Sequence, residues 1–379
     1  MQTFGVGMVG YGFMGKVHTY AYQSLPMIYD SAPAKIKLVG VATASEASGE
    51  KALDQAGYEF ATRDYHDLLA RDDIHLINVC APNNLHRDVV IDALKAGKHV
   101  YCDKPLALNL AEAEEMWDVA KNASTIHQMT FNYRFIPAML RAKQLVDDGF
   151  CGRVYQYRVC YLHSSYIDPN RPVTWRMDKA KGGGGASADL GSHVIDLVRY
   201  LLGDFESVFA TMETFIKERP AKAGSSERTP VDVDDIFWMQ SRMASGAFGT
   251  IEASRLSTGA CDEIRLEIHG EHGAIRFNSM DPNWLDVYDA RLPGGDYGGD
   301  RGFKRIECAQ QYPKPSAIPG PKNSIGWTRY HIASMYDFVR NVAENRQSSP
   351  NILDGLRVQG VLDAAYRSSD RKIWKKVPV

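Results

Sequence analysis

Residues 8–18 read MVGYGFMGKVH. Gly10, Gly12 and Gly15 fall there in G-x-G-x-x-G order, after the apolar run FGVGMV (4–9) and ahead of a helical pattern that begins near residue 13. The first two glycines permit a tight turn and a close approach of backbone to a pyrophosphate. The third permits close helix packing, and the helix N-terminus favours the negative charge. Glycine turns are common, so the weight of this reading comes from its place between a strand and a helix. It makes Gly10, Gly12 and Gly15, with Phe13 and Met14 between the last two, candidate cofactor-binding residues.

Outward from this loop, β-branched runs alternate with helical patterns. Strands are predicted at FGVGMV, IKLVGVA (36–42), IHLINVCA (74–81), KHVYC (98–102) and STIHQMTF (124–131), with helices near 13–24, 84–96 and 109–121. That alternation predicts parallel strands joined by crossover helices, a doubly wound sheet over residues 1–130. After residue 131 the pattern changes. A helix at 137–148, a strand near 153–162, a helix around ADLGSHVIDL and long runs such as DDIFWMQSRM, AFGTIEASR and EIRLEIHG predict an α+β half, 131–379, with a largely antiparallel sheet. ERPAKAGSSERTP (218–230) and the span 292–326 read as loops, and helical patterns near 329–343 and 353–367 follow.

The composition narrows the function classes. Of 379 residues, 44% are hydrophobic and 24% charged, and the net charge is -2, which permits a substantial core and leaves no basic footprint for nucleic acid. No apolar run approaches the roughly 18 residues of a membrane span. The chain enters its first strand pattern at once, without room for a secretory leader, so a cytoplasmic location is expected. The six cysteines form no C-x-x-C pair and read as reduced thiols, with no metal site expected. A small ligand of neutral or mixed charge is the expected partner.

The second strand ends at Thr43, followed by Ala44 and Ser45, where an acid would bond the adenosine ribose of NAD. Neither that acid nor an adjacent arginine for a 2′-phosphate is present, which leaves NAD or NADP with the balance toward NAD. APNNLH (81–86) and YCDKPLA (101–107) fall at the carboxyl ends of predicted strands, where open α/β sheets bind ligands. Pro105 holds the backbone of Lys104 extended, so its side chain is aimed from a fixed point. On a regular helix Asp189, His193, Asp196 and Tyr200 share a sector of about 60°, apart from an apolar face. Taken alone, such a stripe more often faces water than a substrate.

The ordered set GYGFMG, APNNLH, AGKHVYCDKPLA, FNYRF and GGGGASADLGSHVIDLVRYLLGD resembles the Gfo/Idh/MocA oxidoreductases, the glucose-fructose oxidoreductase and inositol dehydrogenase family, over nearly the whole chain. FNYR, TWR and DLGSHVIDLVRYLLG look most like its anhydrosugar- and inositol-oxidising kinds. The resemblance implies an N-terminal Rossmann domain, a C-terminal domain with an open-faced sheet, a nicotinamide between them and a homo-oligomer, dimer or tetramer, built on that sheet. It implies that Lys104, Asp189 and His193 meet the substrate, and that Ala81, Pro82, Asn83, His86, Asp103, Lys104, Asn132, Trp175 and Arg176 line the cofactor. Tyr133, Arg134 and, more weakly, His163 are implied substrate contacts. The family motif is Glu-Lys-Pro, so Asp103 is a shortened carboxylate here.

Removing a hydride from a secondary alcohol requires a group to take the hydroxyl proton, and histidine titrates in the right range. His193 is therefore the expected general acid/base, Asp189 its orienting neighbour and Lys104 the cation beside the forming alkoxide. A desolvated Lys104 can serve as the base instead. The expected reaction is NAD(P)-dependent oxidation or reduction at a secondary hydroxyl of a sugar, anhydrosugar or cyclitol. The alternatives are a nicotinamide-assisted glycoside-cleaving enzyme of the same family and a non-catalytic dinucleotide sensor. The four glycines at 182–185 are expected either to admit a ligand to the backbone or to form a flexible connector, and His18 to pack under the cofactor loop.

Overall fold

The structure, a computed structural model, describes residues 1–378. It divides into two compact units, one of residues 1–135, 312–320 and 326–359, the other of residues 136–311 and 321–325 with the described residues from 360 onward.

In the first unit six parallel strands stand in the order β3-β2-β1-β4-β5-β6. They are β1 (Thr3–Val9), β2 (Lys35–Ala42), β3 (Phe60–Thr62), β4 (Leu76–Val79), β5 (His99–Cys102) and β6 (His127–Met129). The strand order reverses beside β1, and this is where a doubly wound sheet opens a crevice at its carboxyl edge. The helices are α1 (Phe13–Ile28), α2 (Glu46–Ala56), α3 (His66–Leu69), α4 (His86–Lys95) and α5 (Leu110–Ala120). Val6, Met8, Val41, Leu76 and Tyr101 from the sheet pack with Tyr22 and Leu25 of α1 in one core. Further along the chain, α9 (Trp327–Ala343) adds Ile332, Met335, Phe338 and Val339 to that core, and the Tyr101 hydroxyl bonds Ser334 at 2.7 Å. Sequence periodicity shows that α9 buries a face; the partner of that face is the first sheet.

The second unit holds α6 (Pro137–Asp147), β7 (Val154–Leu162), α7 (Lys179–Gly182), α8 (Ser192–Leu202), β8 (Phe205–Glu213), β9 (Glu218–Pro220), β10 (Arg228–Pro230), β11 (Ile236–Met243), β12 (Phe248–Ser254), β13 (Glu263–Gly270), β14 (Gly273–Asn278), β15 (Trp284–Asp289), β16 (Phe303–Glu307) and β17 (Lys375–Lys376). Helix α10 (Ile352–Arg371) belongs to the first unit up to Gln359 and to the second from Gly360. Nine strands form one sheet in the order β16-β15-β14-β13-β7-β12-β11-β8-β17, antiparallel except for the parallel pair β7 and β12. Along β11 and β12 burial alternates residue by residue, so one sheet face carries the core and the other is open. The span 218–230, expected as loop, forms the small sheet β9–β10, and β16 lies inside the span 292–326. Both are short polar segments whose pairing period-2 apolar alternation does not reveal.

Candidate active site

The glycine loop fits a dinucleotide. Gly10 has φ of 94°, and a Cβ there would lie 2.6 Å from the Cys80 carbonyl oxygen. A Cβ on Gly15 would lie 2.2 Å from the Gly10 carbonyl oxygen, whereas a Cβ on Gly12 would meet nothing within 4 Å. The loop is thus pressed onto the sheet at its two ends and open at Gly12. Among the described residues no side chain caps α1 and no acid stands in its first turn, which leaves its N–H groups and dipole available to a phosphate. Phe13 is exposed and stacks on Trp327 with ring centroids 5.8 Å apart; Met14 is half-buried.

Thr43 is buried at the end of β2 and its hydroxyl donates to the Ser45 carbonyl at 2.8 Å. Ser45 caps α2 by accepting from the Ser48 amide. Sequence reading finds no arginine adjacent to this turn; the fold brings one from the end of β3, with Arg63 Nη2 donating to the Ala44 carbonyl at 3.4 Å.

Beyond β4, Ala81, Pro82 and Asn83 lead into α4, and His86 lies wholly inside the unit. Its Nδ1 is 2.9 Å from the Pro105 carbonyl and its Nε2 is 3.0 Å from the Ala81 carbonyl. Burial pushes its pKa down, against the pull of Asp103 and these carbonyls. An imidazole with a single N–H donates to only one of these carbonyls, so His86, expected along the cofactor, is enclosed between the two loops with each ring nitrogen facing a carbonyl of the protein. Asp103 braces the same corner by accepting from the Lys104 amide at 2.9 Å. Lys104 follows half-buried at the exit of β5, and its charge reaches His331 on α9, whose pKa burial already drives well below the ordinary value. His18 is buried as expected, its Nδ1 against Asn78 at 3.0 Å and Cys80 at 3.1 Å, and burial lowers its pKa to about 4.

After β6 the chain makes a single 3₁₀ turn, Asn132–Phe135. Asn132 is buried, and its side-chain amide nitrogen has no hydrogen-bond partner among the described residues, as suits a group awaiting a ligand. Tyr133 packs near Tyr330 with ring centroids 6.4 Å apart. Arg134, expected at the substrate, is buried and paired with Asp354 at 3.1 Å. This pair between a buried guanidinium and a half-buried carboxylate ties the turn to the start of α10.

In the second unit a π-helical turn, Ser187–Gly191, runs straight into α8. The wider turn rotates Asp189 away from the position that a regular α-helix would give it. Every residue from Ser192 to Arg199 is buried, His193 and Asp196 included, whereas Asp189 and Tyr200 at the two ends of the polar stripe are half-buried. Asp234 organises the turn. Its carboxylate accepts from the Gly185 amide at 2.9 Å, the Ser187 amide at 2.7 Å and the Ser187 hydroxyl at 2.8 Å. Gly184 and Gly185 permit that packing. A Cβ on Gly185 would lie 1.8 Å from the Asp234 carbonyl oxygen and one on Gly184 would lie 1.9 Å from the Tyr366 hydroxyl, so the second half of the run is packed against the protein.

Asp189 is held by Arg255, Nη2 to Oδ2 at 2.9 Å. Arg255 follows β12, where the inward alternation Ile251, Ala253, Arg255 places a cation on the core side. That alternation is the signal by which sequence reading could have found it. Its Nη1 donates to the Arg176 carbonyl at 3.2 Å, and the guanidinium lies 4.7 Å from the Tyr166 ring centroid. Arg176 in turn lies over the Trp175 ring at 4.3 Å. His193 faces Tyr161 with ring centroids 5.9 Å apart, and the Tyr161 hydroxyl donates to Asp262. His163 Nε2 lies 3.5 Å from the same carboxylate. Thus one unit carries Lys104 and Asn132 with the glycine loop, and the other carries Asp189, His193, His163, Trp175, Arg176 and the unforeseen Arg255 and Asp234. Among the described residues no cluster of His, Cys, Asp and Glu is placed to hold a metal ion.

A six-stranded parallel sheet in this order, with a glycine cradle at its reversal point, is the nucleotide-binding half of a dinucleotide-dependent oxidoreductase. Residues 4–131 match the oxidoreductase family with an NAD-binding Rossmann fold, and residues 139–276 match the GFO/IDH/MocA C-terminal domain. The chain belongs to the Gfo/Idh/MocA family. It is 36% identical over 390 residues to levoglucosan dehydrogenase of Pseudarthrobacter phenanthrenivorans, covering 100% of this chain and 99% of that one. Myo-inositol 2-dehydrogenase of Thermotoga maritima is 30% identical over 302 residues, covering 79% of this chain and 81% of the relative. A solved levoglucosan dehydrogenase in complex with NADH and levoglucosan superimposes with a TM-score of 0.94 at 37% identity, covering 100% of both chains.

Proposed function

We propose that this oxidoreductase is an NAD-dependent dehydrogenase acting at a secondary hydroxyl of an anhydrosugar, sugar or cyclitol, with levoglucosan the first substrate to try. One observation carries the reading: a fitted glycine cradle, Lys104, Asp189 and His193 occur together in a chain similar end to end to levoglucosan dehydrogenase. The nicotinamide, when bound, would supply the hydride acceptor. Gly10, Gly12, Gly15 and the first turn of α1 would hold its pyrophosphate, and Thr43 at the end of β2 would border its adenosine ribose. His193 takes the hydroxyl proton, Asp189 orients the sugar, and the Lys104 ammonium stabilises the developing alkoxide. Lys104 as the base is the rival assignment within the same reaction.

The functional division we propose falls near residue 130, between a cofactor half and a substrate half. The open face of the nine-stranded sheet supports a homo-oligomer. Exposed Trp238 stands there among Phe209, Thr211 and Gln240, around a hollow of about 490 Å³. A cytoplasmic location is part of the same proposal, supported by cysteines whose thiols are free.

The test is a panel of levoglucosan, monosaccharides and inositols, each with NAD and with NADP, followed by absorbance of the reduced nicotinamide. His193→Ala and Lys104→Ala are expected to bind NADH as the wild type does and to lose at least about 100-fold in kcat. Full activity in either variant would remove that residue from the mechanism.

A further inference from the structure

Asp189 is anchored from behind. Its side chain is 25% exposed, whereas that of Arg255 is 2% exposed. The carboxylate is therefore partly exposed, whereas the guanidinium that it bonds is enclosed by protein. That guanidinium is itself held at two further points, by the Arg176 carbonyl at 3.2 Å and the Tyr166 ring at 4.7 Å. The topology explains the meeting. Because β7 and β12 run parallel, their carboxyl ends emerge at one edge of the sheet, and the His163 amide bonds the Ser254 carbonyl at 2.8 Å. Tyr166 and Arg255 are delivered together beneath the π-helical turn that carries Asp189.

We propose that Arg255 is a positioning residue for the reaction: it fixes the Asp189 carboxylate in place and ionised, and makes of the two a neutral pair one turn ahead of His193. The proposal rests on the reading of Asp189 and His193 as reaction residues. A carboxylate near an imidazole favours the imidazolium. With its charge answered by Arg255, Asp189 still accepts a hydrogen bond from a sugar hydroxyl, yet leaves His193 able to be neutral and to accept a proton near neutral pH. Arginine suits this task because it stays charged when buried and presents several donors in a fixed plane. Burial alone would weaken its charge, but the carboxylates of Asp189 and Asp234, with Tyr166, more than offset that. Other charged or titratable groups around the pair are Arg176, Arg219 beside Tyr166, and Tyr161 with Asp262 and His163 near His193.

The experiment compares Arg255→Met, Arg255→Lys, Asp189→Asn and the double variant Asp189→Asn/Arg255→Met. The assay uses NAD with levoglucosan, or with the panel member turned over fastest, from pH 5 to 10. Arg255→Met is expected to lose about 100-fold in kcat at pH 7 and to move the acid limb of the kcat profile up by about one unit. NADH binding, followed by fluorescence, should stay unchanged. Arg255→Lys, which keeps the charge, should restore the position of the limb. In the Asp189→Asn background the added Arg255→Met substitution should shift nothing further. Where Arg255→Met does not fold, Arg255→Gln carries the same test. A wild-type profile in Arg255→Met or Arg255→Gln overturns the proposal, as does a shift that persists in the Asp189→Asn background. Undiminished turnover in Asp189→Asn would instead remove Asp189 itself from the proposed mechanism.

Discussion

At Gly10, Gly12 and Gly15 one added methyl group separates folding from binding. Gly10→Ala would strain a backbone at φ of 94° and meet the Cys80 carbonyl, so both thermal stability and NADH binding should fall. Gly12 has ordinary negative φ and open space around it, so Gly12→Ala should melt like the wild type while binding NADH at least about 10-fold more weakly. Melting curves and a fluorescence titration distinguish the two, and a Gly12→Ala protein that binds NADH normally would mean that the pyrophosphate lies elsewhere. These glycines were legible from spacing alone, because only backbone geometry is at stake. Arg134 and His86 were not. A sequence motif says that a polar residue is required, but whether its partner is a ligand or the protein depends on Asp354, Pro105 and Ala81.

At the level of elements, long periodic segments could be read and short ones could not. Helix α2 buries only Gly49 and Ala52, and β3 is three residues long, so neither carries an apolar stripe for sequence reading to find. The helix bearing His193 was found, but its opening π-helical turn was not, since that distortion is imposed by Asp234 from a distant part of the chain. Gly185→Ala should therefore destabilise the second unit by about 3 kcal/mol or more, seen as a lower denaturant midpoint. Asp234→Ala strips the turn of three hydrogen bonds and should act in the same direction. Equal midpoints for both variants and wild type would show that the turn holds itself.

For the molecule as a whole, buried histidines set the response to acid. Burial depresses His18 and His127 to about 4, whereas both titrate near 6.5 in the unfolded chain. The stability associated with their neutral forms is complete above about pH 6.5 and is lost as pH falls toward 4, on the order of 3 kcal/mol for each residue. Denaturant unfolding at pH 7 and pH 5 should show this loss, and His18→Asn should reduce it. The open sheet face makes a separate prediction. Trp238→Glu should turn the proposed oligomer into a monomer on analytical ultracentrifugation, with the far-ultraviolet circular dichroism spectrum retained. Finally, β7 pairs with β12 and β13, neither of which is its neighbour in sequence. During synthesis β7 leaves the ribosome long before either partner exists, so it must wait with both edges bare and vulnerable to association. Tyr166 and Arg255, which follow β7 and β12, are brought together beside Asp189 only when that pairing closes, which makes the proposed support of Asp189 a late product of the nascent chain.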